Sequence, residues 1–261
     1  MSSAKNLTVL AAVAHPDDIE FYFSGTLLLL KRAGCSIHFW NLANGSCGTM
    51  RHGRQEIVRI RAQEAVDSAK LAVAQIHPPL FNDLEVFYDR RSLLSVSAVV
   101  RSIRPQIILT HSPNDYMEDH QNVCRLIVTA AFSRAIPNFM TIPTTAPYAE
   151  PVRIYHAPPH GLRDAMEAPF QPDFLIDIDS MMETKRQMLA CHKSQQDWLA
   201  STQGMHSYVR EMEHLCAEMA GLGHKLAHAE AWRRHSHLGF CPADFDPLPG
   251  ILATFVQNPK P

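Results

Sequence analysis

His15-Pro16-Asp17-Asp18 places an imidazole and two carboxylates side by side, directly after an apolar run. Catalytic sites for divalent metals draw three protein ligands from His, Asp, Glu or Cys and leave one position open. His15 and Asp18 lie three residues apart across a strand-to-helix turn that Pro16 stiffens. With Asp18 on a metal, Asp17 is left beside the water that the metal activates, which is the station of a general base. A helix starting after Asp18 favours carboxylates there. The same two residues also read as a plain N-cap pair. A second cluster runs from His111 to His120, with Asp115, Glu118 and Asp119 between the two histidines. His120 can supply a third ligand, with Asp119 or Asp115 orienting a histidine from behind. The alternative is a polar loop with capping residues, in which His111 is a hydrogen-bonded imidazole at a strand end.

These clusters need elements to hold them. Leu7 to Ala14 is an unbroken apolar run, the pattern of a strand buried on both faces. Ile19 to Arg32 has helical spacing and stops at Gly34. Ser36 to Ala43 predicts a second strand, followed by the turn-like Asn44-Gly45-Ser46-Cys47-Gly48. Gln55 to Ala74 and Leu93 to Ile103 predict helices, and Gln106 to Thr110 another buried strand ending at His111. Alternating strands and helices predict an α/β fold whose parallel sheet is covered by helices. Ligands in such sheets sit outside the carboxyl ends of the strands, so His15–Asp18 and His111–His120 share one rim. Further along, Glu118 to Arg134 predicts a helix, and Pro137 to Pro151 a long loop that is a candidate wall of the site. Val152 to His156 and Phe174 to Ile178 are strand candidates. Met181 to Gln196 and Met205 to Ala231 are helix candidates. The whole, residues 1–261, is expected to be one domain, with residues 197–261 a C-terminal helical extension.

Composition narrows the function. Apolar residues make up 46% of the 261, enough for a sizeable core. Lys+Arg number 24 against Asp+Glu 26, so no broad basic face exists for nucleic acid. No run of about 18 apolar residues is present, which excludes a helical membrane span. The six cysteines form no C-x-x-C pair and suggest reduced thiols. Lys5, Leu7–Ala12 and Ala12-Val13-Ala14 imitate a signal peptide, but the stretch is shorter than the usual ~15–30 residues. It is read as the first strand, and the protein as cytoplasmic.

Several motifs together resemble one family. AHPDDIE (Ala14 to Glu20) with Gly25-Thr26 after it, and NDYMEDH (Asn114 to His120), are similar to those of the LmbE-like family, the PIG-L group of zinc-dependent de-N-acetylases. Asn44-Gly45-Ser46-Cys47-Gly48, Arg61-x-x-Glu64-Ala65 and Cys191-His192-Lys193-Ser194-Gln195 match as well, so the resemblance spans most of the chain. It implies a Rossmann-like three-layer sandwich, a mostly parallel sheet with helices on both faces, and one zinc ion per chain. By position it makes His15, Asp18 and His120 the zinc ligands and Asp17 the general base. It makes Arg61 a residue that binds substrate or organises the site. The implied reaction removes an acetyl group from a small-molecule substrate, an N-acetylated amino sugar or similar amide, and relatives often form trimers or hexamers, which predicts a homo-oligomer.

One position departs from the family. Where a histidine commonly precedes the last zinc ligand by three residues, this chain has Met117, now a candidate substrate contact. A thioether cannot donate a proton. Tyr116, or His160 or His156 of the YHAPPHG segment, are the candidate replacements. A zinc-dependent hydratase of an unsaturated keto-dicarboxylate, also in this family, is the alternative, with Arg61 as a carboxylate clamp. Arg61 can instead form a helix salt bridge with Glu64 or Asp67. A non-catalytic metal- or ligand-binding relative is the third reading.

Other signals carry less. His224 and His228 have metal-competent spacing on a predicted helix but lie off the rim, and read as solvent-facing. His235 and His237 near Trp232 fit a segment packed on the sheet, and His192 a capping or supporting role. Met181, Met182, Met188, Met205, Met212 and Met219 read as packing. Ser46 and Cys47 lack a base for nucleophilic work. The first strand is followed by HPDD rather than G-x-G-x-x-G, which disfavours a dinucleotide.

Overall fold

The computed structural model describes residues 7–205 and 207–260; Lys5 of the signal-like stretch lies outside them. The elements in chain order are β1 Thr8–Val13, a π-helical turn Ile19–Phe23, α1 Ser24–Arg32, β2 Ser36–Asn41, α2 Arg54–Leu71, β3 Gln75–His77, α3 Arg90–Ile103, β4 Ile107–Thr110 and α4 Glu118–Phe132. Then come β5 Arg153–His156, β6 Phe174–Asp177, α5 Met182–Leu189, α6 Lys193–Gln203, α7 Tyr208–Gly221, β7 Ala229–Arg234, α8 Pro247–Ile251 and β8 Val256–Gln257. The sheet runs β3-β2-β1-β4-β5-β7-β6-β8. β1 to β5 pair in parallel, and β7, β6 and β8 join antiparallel.

β1 shows why the predicted layering forms. Its side chains alternate between two separate cores: Val9, Ala11 and Val13 in one, Leu10, Ala12 and Ala14 in the other. Small apolar residues on both faces let helices pack on both sides. α1, α5 and α7 cover the first core, α3 and α4 the second. β1 lies between β2 and β4, and the chain leaves it toward β2. The order reverses at β1, so the crevice outside the carboxyl ends of β1 and β4 is the natural ligand position.

The C-terminal third corrects the expected helical extension. The long helix read over Met205–Ala231 ends at Gly221, and Ala229–Arg234 is strand β7, inserted between β5 and β6. Glu230 on this strand is fully buried and accepts from the backbone N–H groups of Gly25 (2.8 Å) and Thr26 (2.7 Å) at the start of α1. Lys185 Nζ donates to the same carboxylate at 2.7 Å. Trp232 Nε1 donates to Thr26 Oγ1 at 3.1 Å. Helix-start donors otherwise orphaned are thereby satisfied from the far end of the chain. The helix expected over Met181–Gln196 also breaks, at the buried His192.

The Pro137–Pro151 loop is not a wall of the site. Tyr148 Oη donates to Pro105 O at 3.4 Å and Arg101 to Thr145 O at 3.1 Å, which ties the loop to the amino end of β4, the opposite edge of the sheet. His228 bonds Asp179 and lies beyond the end of α7, so it does not share a helix with His224. The methionines at 181, 182, 188, 212 and 219 are core, as expected. No disulfide forms among the described residues, and no helix among them is long and apolar enough to cross a membrane.

Candidate active site

The two sequence clusters meet. β1 ends at Val13, and His15 to Asp18 turn over its tip; the loop after β4 brings His120 onto the first turn of α4. Ligand-capable atoms of His15, Asp18 and His120 lie within 4.8 Å of one another. Asp18 Oδ2 is 3.6 Å from His15 Nδ1 and 3.5 Å from His120 Nε2. Both imidazoles are backed by carboxylates: His15 Nε2 meets Asp119 Oδ2 at 3.0 Å, and His120 Nδ1 meets Asp115 Oδ2 at 3.2 Å. Asp115 and Asp119 therefore each orient one histidine, where the sequence suggested one or the other.

A divalent cation fits this donor set. Such backing leaves the opposite ring nitrogen free as a lone-pair donor. His120 Nε2 is buried with no hydrogen-bond partner among the described residues, and it points at the cluster. Burial disfavours the charged form of both imidazoles, yet the carboxylates outweigh it. Asp119 and Asp18 raise His15 to about 10, and Asp18 and Asp115 raise His120 to about 9. Burial also opposes ionisation of Asp18, but His120 and His15 hold it well below its ordinary value. The cluster draws positive charge to one point, which is what a cation supplies.

His111 belongs to the framework. Its Nε2 accepts from the Ala14 N–H at 2.9 Å, and its ring stacks on His120 with centroids 3.8 Å apart. An imidazole nitrogen engaged this way is not available as a ligand, although His111, Asp115 and His120 also cluster closely.

Asp17 is not an N-cap. Its backbone has φ 112°, in a region that favours glycine, and a side chain there costs about 1–3 kcal/mol. The carboxylate is buried, with Oδ1 accepting from Arg61 Nη2 at 3.2 Å and Oδ2 from Tyr208 Oη at 2.7 Å. Asp18 makes no side-chain cap either; its Oδ2 accepts from the His15 N–H at 2.7 Å. Burial raises Asp17 to about 6 against the pull of Arg61. Two adjacent carboxylates are thus pushed apart in acidity, the pattern of a site that divides roles between them.

Arg61 is 2% exposed and pairs with neither Glu64 nor Asp67. Its Nη2 donates to Pro16 O at 2.6 Å as well as to Asp17, clamping the strained turn from beneath. Gly45 and Gly48 make room for it: a Cβ on either would collide with the guanidinium stem or head. Glu64 instead accepts from Ser194 N–H (2.9 Å) and Oγ–H (2.6 Å), joining α2 to α6.

Above the cluster lies a cavity of about 270 Å³. Met117, Tyr116 and His160 line it with Trp198, Met205 and Tyr208. Tyr116 is 53% exposed and presents its ring edge to His120 at 6.3 Å; His160 is exposed beside Phe21, rings 5.7 Å apart. His156 is not at the site: it is buried, donating Nδ1–H to His111 O at 2.7 Å and meeting His235 at 3.0 Å. His192 is buried 3.3 Å from Glu20. The sequence reading missed Tyr208. Ser207, which caps α7 by accepting from Arg210 N–H, was the local signal that a helix begins at the rim.

Fold and cluster define a class: an α/β protein with a His/Asp cluster able to hold a divalent metal at a topological switch point, and a separate buried carboxylate beside it. Residues 10–131 match the model of the PIG-L family, described as GlcNAc-PI de-N-acetylase. It is 28% identical over 194 residues to the diacetylchitobiose deacetylase of Thermococcus kodakarensis, covering 72% of this chain and 69% of that protein. It is 24% identical over 200 residues to the 4-oxalmesaconate hydratase of Pseudomonas putida, covering 72% and 74%. Among solved structures, N,N'-diacetylchitobiose deacetylase from Pyrococcus horikoshii superposes with a TM-score of 0.73 at 22% identity, covering 92% of this chain and 88% of that one. That likeness establishes the Rossmann-like fold expected from the sequence.

Proposed function

We propose that this protein is a zinc-dependent deacetylase that removes an N-acetyl or similar acyl group from an amino-sugar-like small molecule. Family and relatives support a hydrolytic deacetylase acting on an amide. The observation that carries the reading is the convergence of His15, Asp18 and His120 beneath the cavity, with Asp17 buried beside them. His15, Asp18 and His120 would hold the zinc ion. When bound, it polarises the amide carbonyl and lowers the pKa of water. Asp17 takes the proton of the attacking water, and Arg61 holds Asp17 in its strained conformation. Met117 gives the substrate an apolar contact, and Tyr116 and His160 face it at the cavity mouth.

Hydration of an unsaturated keto-acid is the second reading. Met117 favours it, since that reaction expels no amine and needs no donor at this position. The test is amine release from N-acetylglucosamine and N,N'-diacetylchitobiose, run beside ultraviolet loss of unsaturated keto-dicarboxylates, with metal content measured on the same protein. Amide turnover that disappears in Asp17→Asn, zinc retained, is the expected result. Turnover of the keto-acids alone overturns the deacetylase reading.

A further inference from the structure

Among the described residues, the side chain of Asp17 has two hydrogen-bond partners, and they differ in kind. Arg61 carries a fixed charge and passes no proton on. Tyr208 carries a phenolic proton. It opens α7, far along the chain from Asp17 and outside the residues matched to the family. Its ring lies flat on Phe21, centroids 5.0 Å apart at 15°, and Ser207 caps the helix one residue before it. Stack and helix start fix where the hydroxyl points: 2.7 Å from Asp17 Oδ2, on the wall of the cavity that His15, Asp18 and His120 line. Met117 cannot give a proton, and Tyr116 and His160 stand exposed at the mouth.

We propose that Tyr208 is the catalytic acid of amide cleavage and that Asp17 reloads it. This rests on the deacetylase reading above. Asp17 takes a proton from water as the water oxygen bonds to the amide carbon. The C–N bond then breaks and its electron pair stays on nitrogen. The Tyr208 Oη–H passes to that nitrogen, while the proton on Asp17 crosses the hydrogen bond to Tyr208 Oη. The products are a carboxylic acid and a free amine; Asp17 and Tyr208 end as they began. Each carboxylate oxygen has two lone pairs, so Asp17 can accept from Tyr208 and still face the water.

The test is Tyr208→Phe, which keeps the ring and its stack, on two probes. N,N'-diacetylchitobiose expels a basic amine that must be protonated; p-nitrophenyl acetate expels a phenolate that need not be. Loss of the acid predicts a fall in kcat on the amide of at least about 100-fold. The ester rate, above the background of Asp17→Asn, falls less than about tenfold, through the hydrogen bond lost to Asp17. Zinc content stays at the wild-type level. Equal falls on both probes overturn the proposal, because Tyr208 then only holds Asp17; so does an undiminished amide rate. Wild-type protein that turns over keto-acids and no amide removes the parent reading and this one together, a result distinct from the others. If the Phe variant does not fold, Tyr208→His and Tyr208→Leu decide instead. The amide-to-ester ratio must be at least about tenfold higher with the proton donor, and equal ratios overturn the proposal.

Discussion

Arg61 separates two accounts of this site. It lies buried under the Pro16–Asp17 turn and also lines the cavity, so it is either a brace of the turn or a clamp on the substrate. Arg61→Met keeps much of the stem and removes the guanidinium. Pro16 O then loses its 2.6 Å donor, and Asp17 keeps Tyr208 alone. Breaking a buried pair by deleting one member costs about 3–5 kcal/mol. The remaining phenol puts the expectation at the low end, about 3 kcal/mol, or roughly 10 °C in melting temperature for a chain of this size. Urea unfolding measures it directly. A double variant with Asp17→Asn leaves no uncompensated charge and should recover at least about 1 kcal/mol relative to the additive sum. If Arg61→Met unfolds within about 1 kcal/mol of wild type while KM for a carboxylated substrate rises steeply, the clamp account is right and the turn does not depend on Arg61.

Other consequences can be measured on the same protein. Asp119→Asn and Asp115→Asn each weaken the backing of one histidine and should lower zinc affinity about 10–100-fold in a chelator competition; unchanged affinity would show that these carboxylates only cap the loop. Gly25→Ala tests packing against propensity. Alanine favours a helix by about 1 kcal/mol, but its Cβ would lie 2.7 Å from Ile178 and 2.9 Å from Glu230, so net destabilisation is expected, and a raised melting temperature would contradict the tight approach. His156 sets an acid sensitivity. Burial chiefly lowers its pKa from 6.5 to about 4, with His235 adding to the fall against the pull of the His111 carbonyl. Between those values the unfolded chain binds the extra proton, so stability drops as pH falls from 6.5 toward 4, by at most about 3 kcal/mol. His156→Gln should flatten that part of a stability-versus-pH curve, and an unaltered slope would assign it elsewhere.

The parts legible in the sequence were those whose cause is local. An apolar run of small and β-branched residues fits a strand buried on both faces, and β1 is one. A turn of His, Pro, Asp and Asp at its end declares itself by residue type. Tertiary causes left weaker marks. Ala229–Arg234 lacks the alternating pattern of a strand, and its Glu230 carboxylate meets Gly25, Thr26 and Lys185 from far along the chain. No window around residue 230 contains those partners. Arg61 left two readings open for a similar reason: at helical spacing from Glu64 it could be a salt-bridge member as well as a site residue, and the glycines at 45 and 48 open the slot that takes it inward. Tyr208 is the extreme case, because nothing near it says that its hydroxyl meets Asp17.

The same contrast bears on how the site works. The proposed metal ligands come from short segments that follow β1 and β4, held by neighbouring strands in direct register. The groups around Asp17 come from α2 and α7, so the proposed base is placed by packing between layers. Alterations that loosen the seat of α7, such as Phe21→Ala beneath the Tyr208 ring, should therefore leave zinc binding within about twofold while activity falls. Loss of zinc and activity in step would mean that the two halves of the site are one unit.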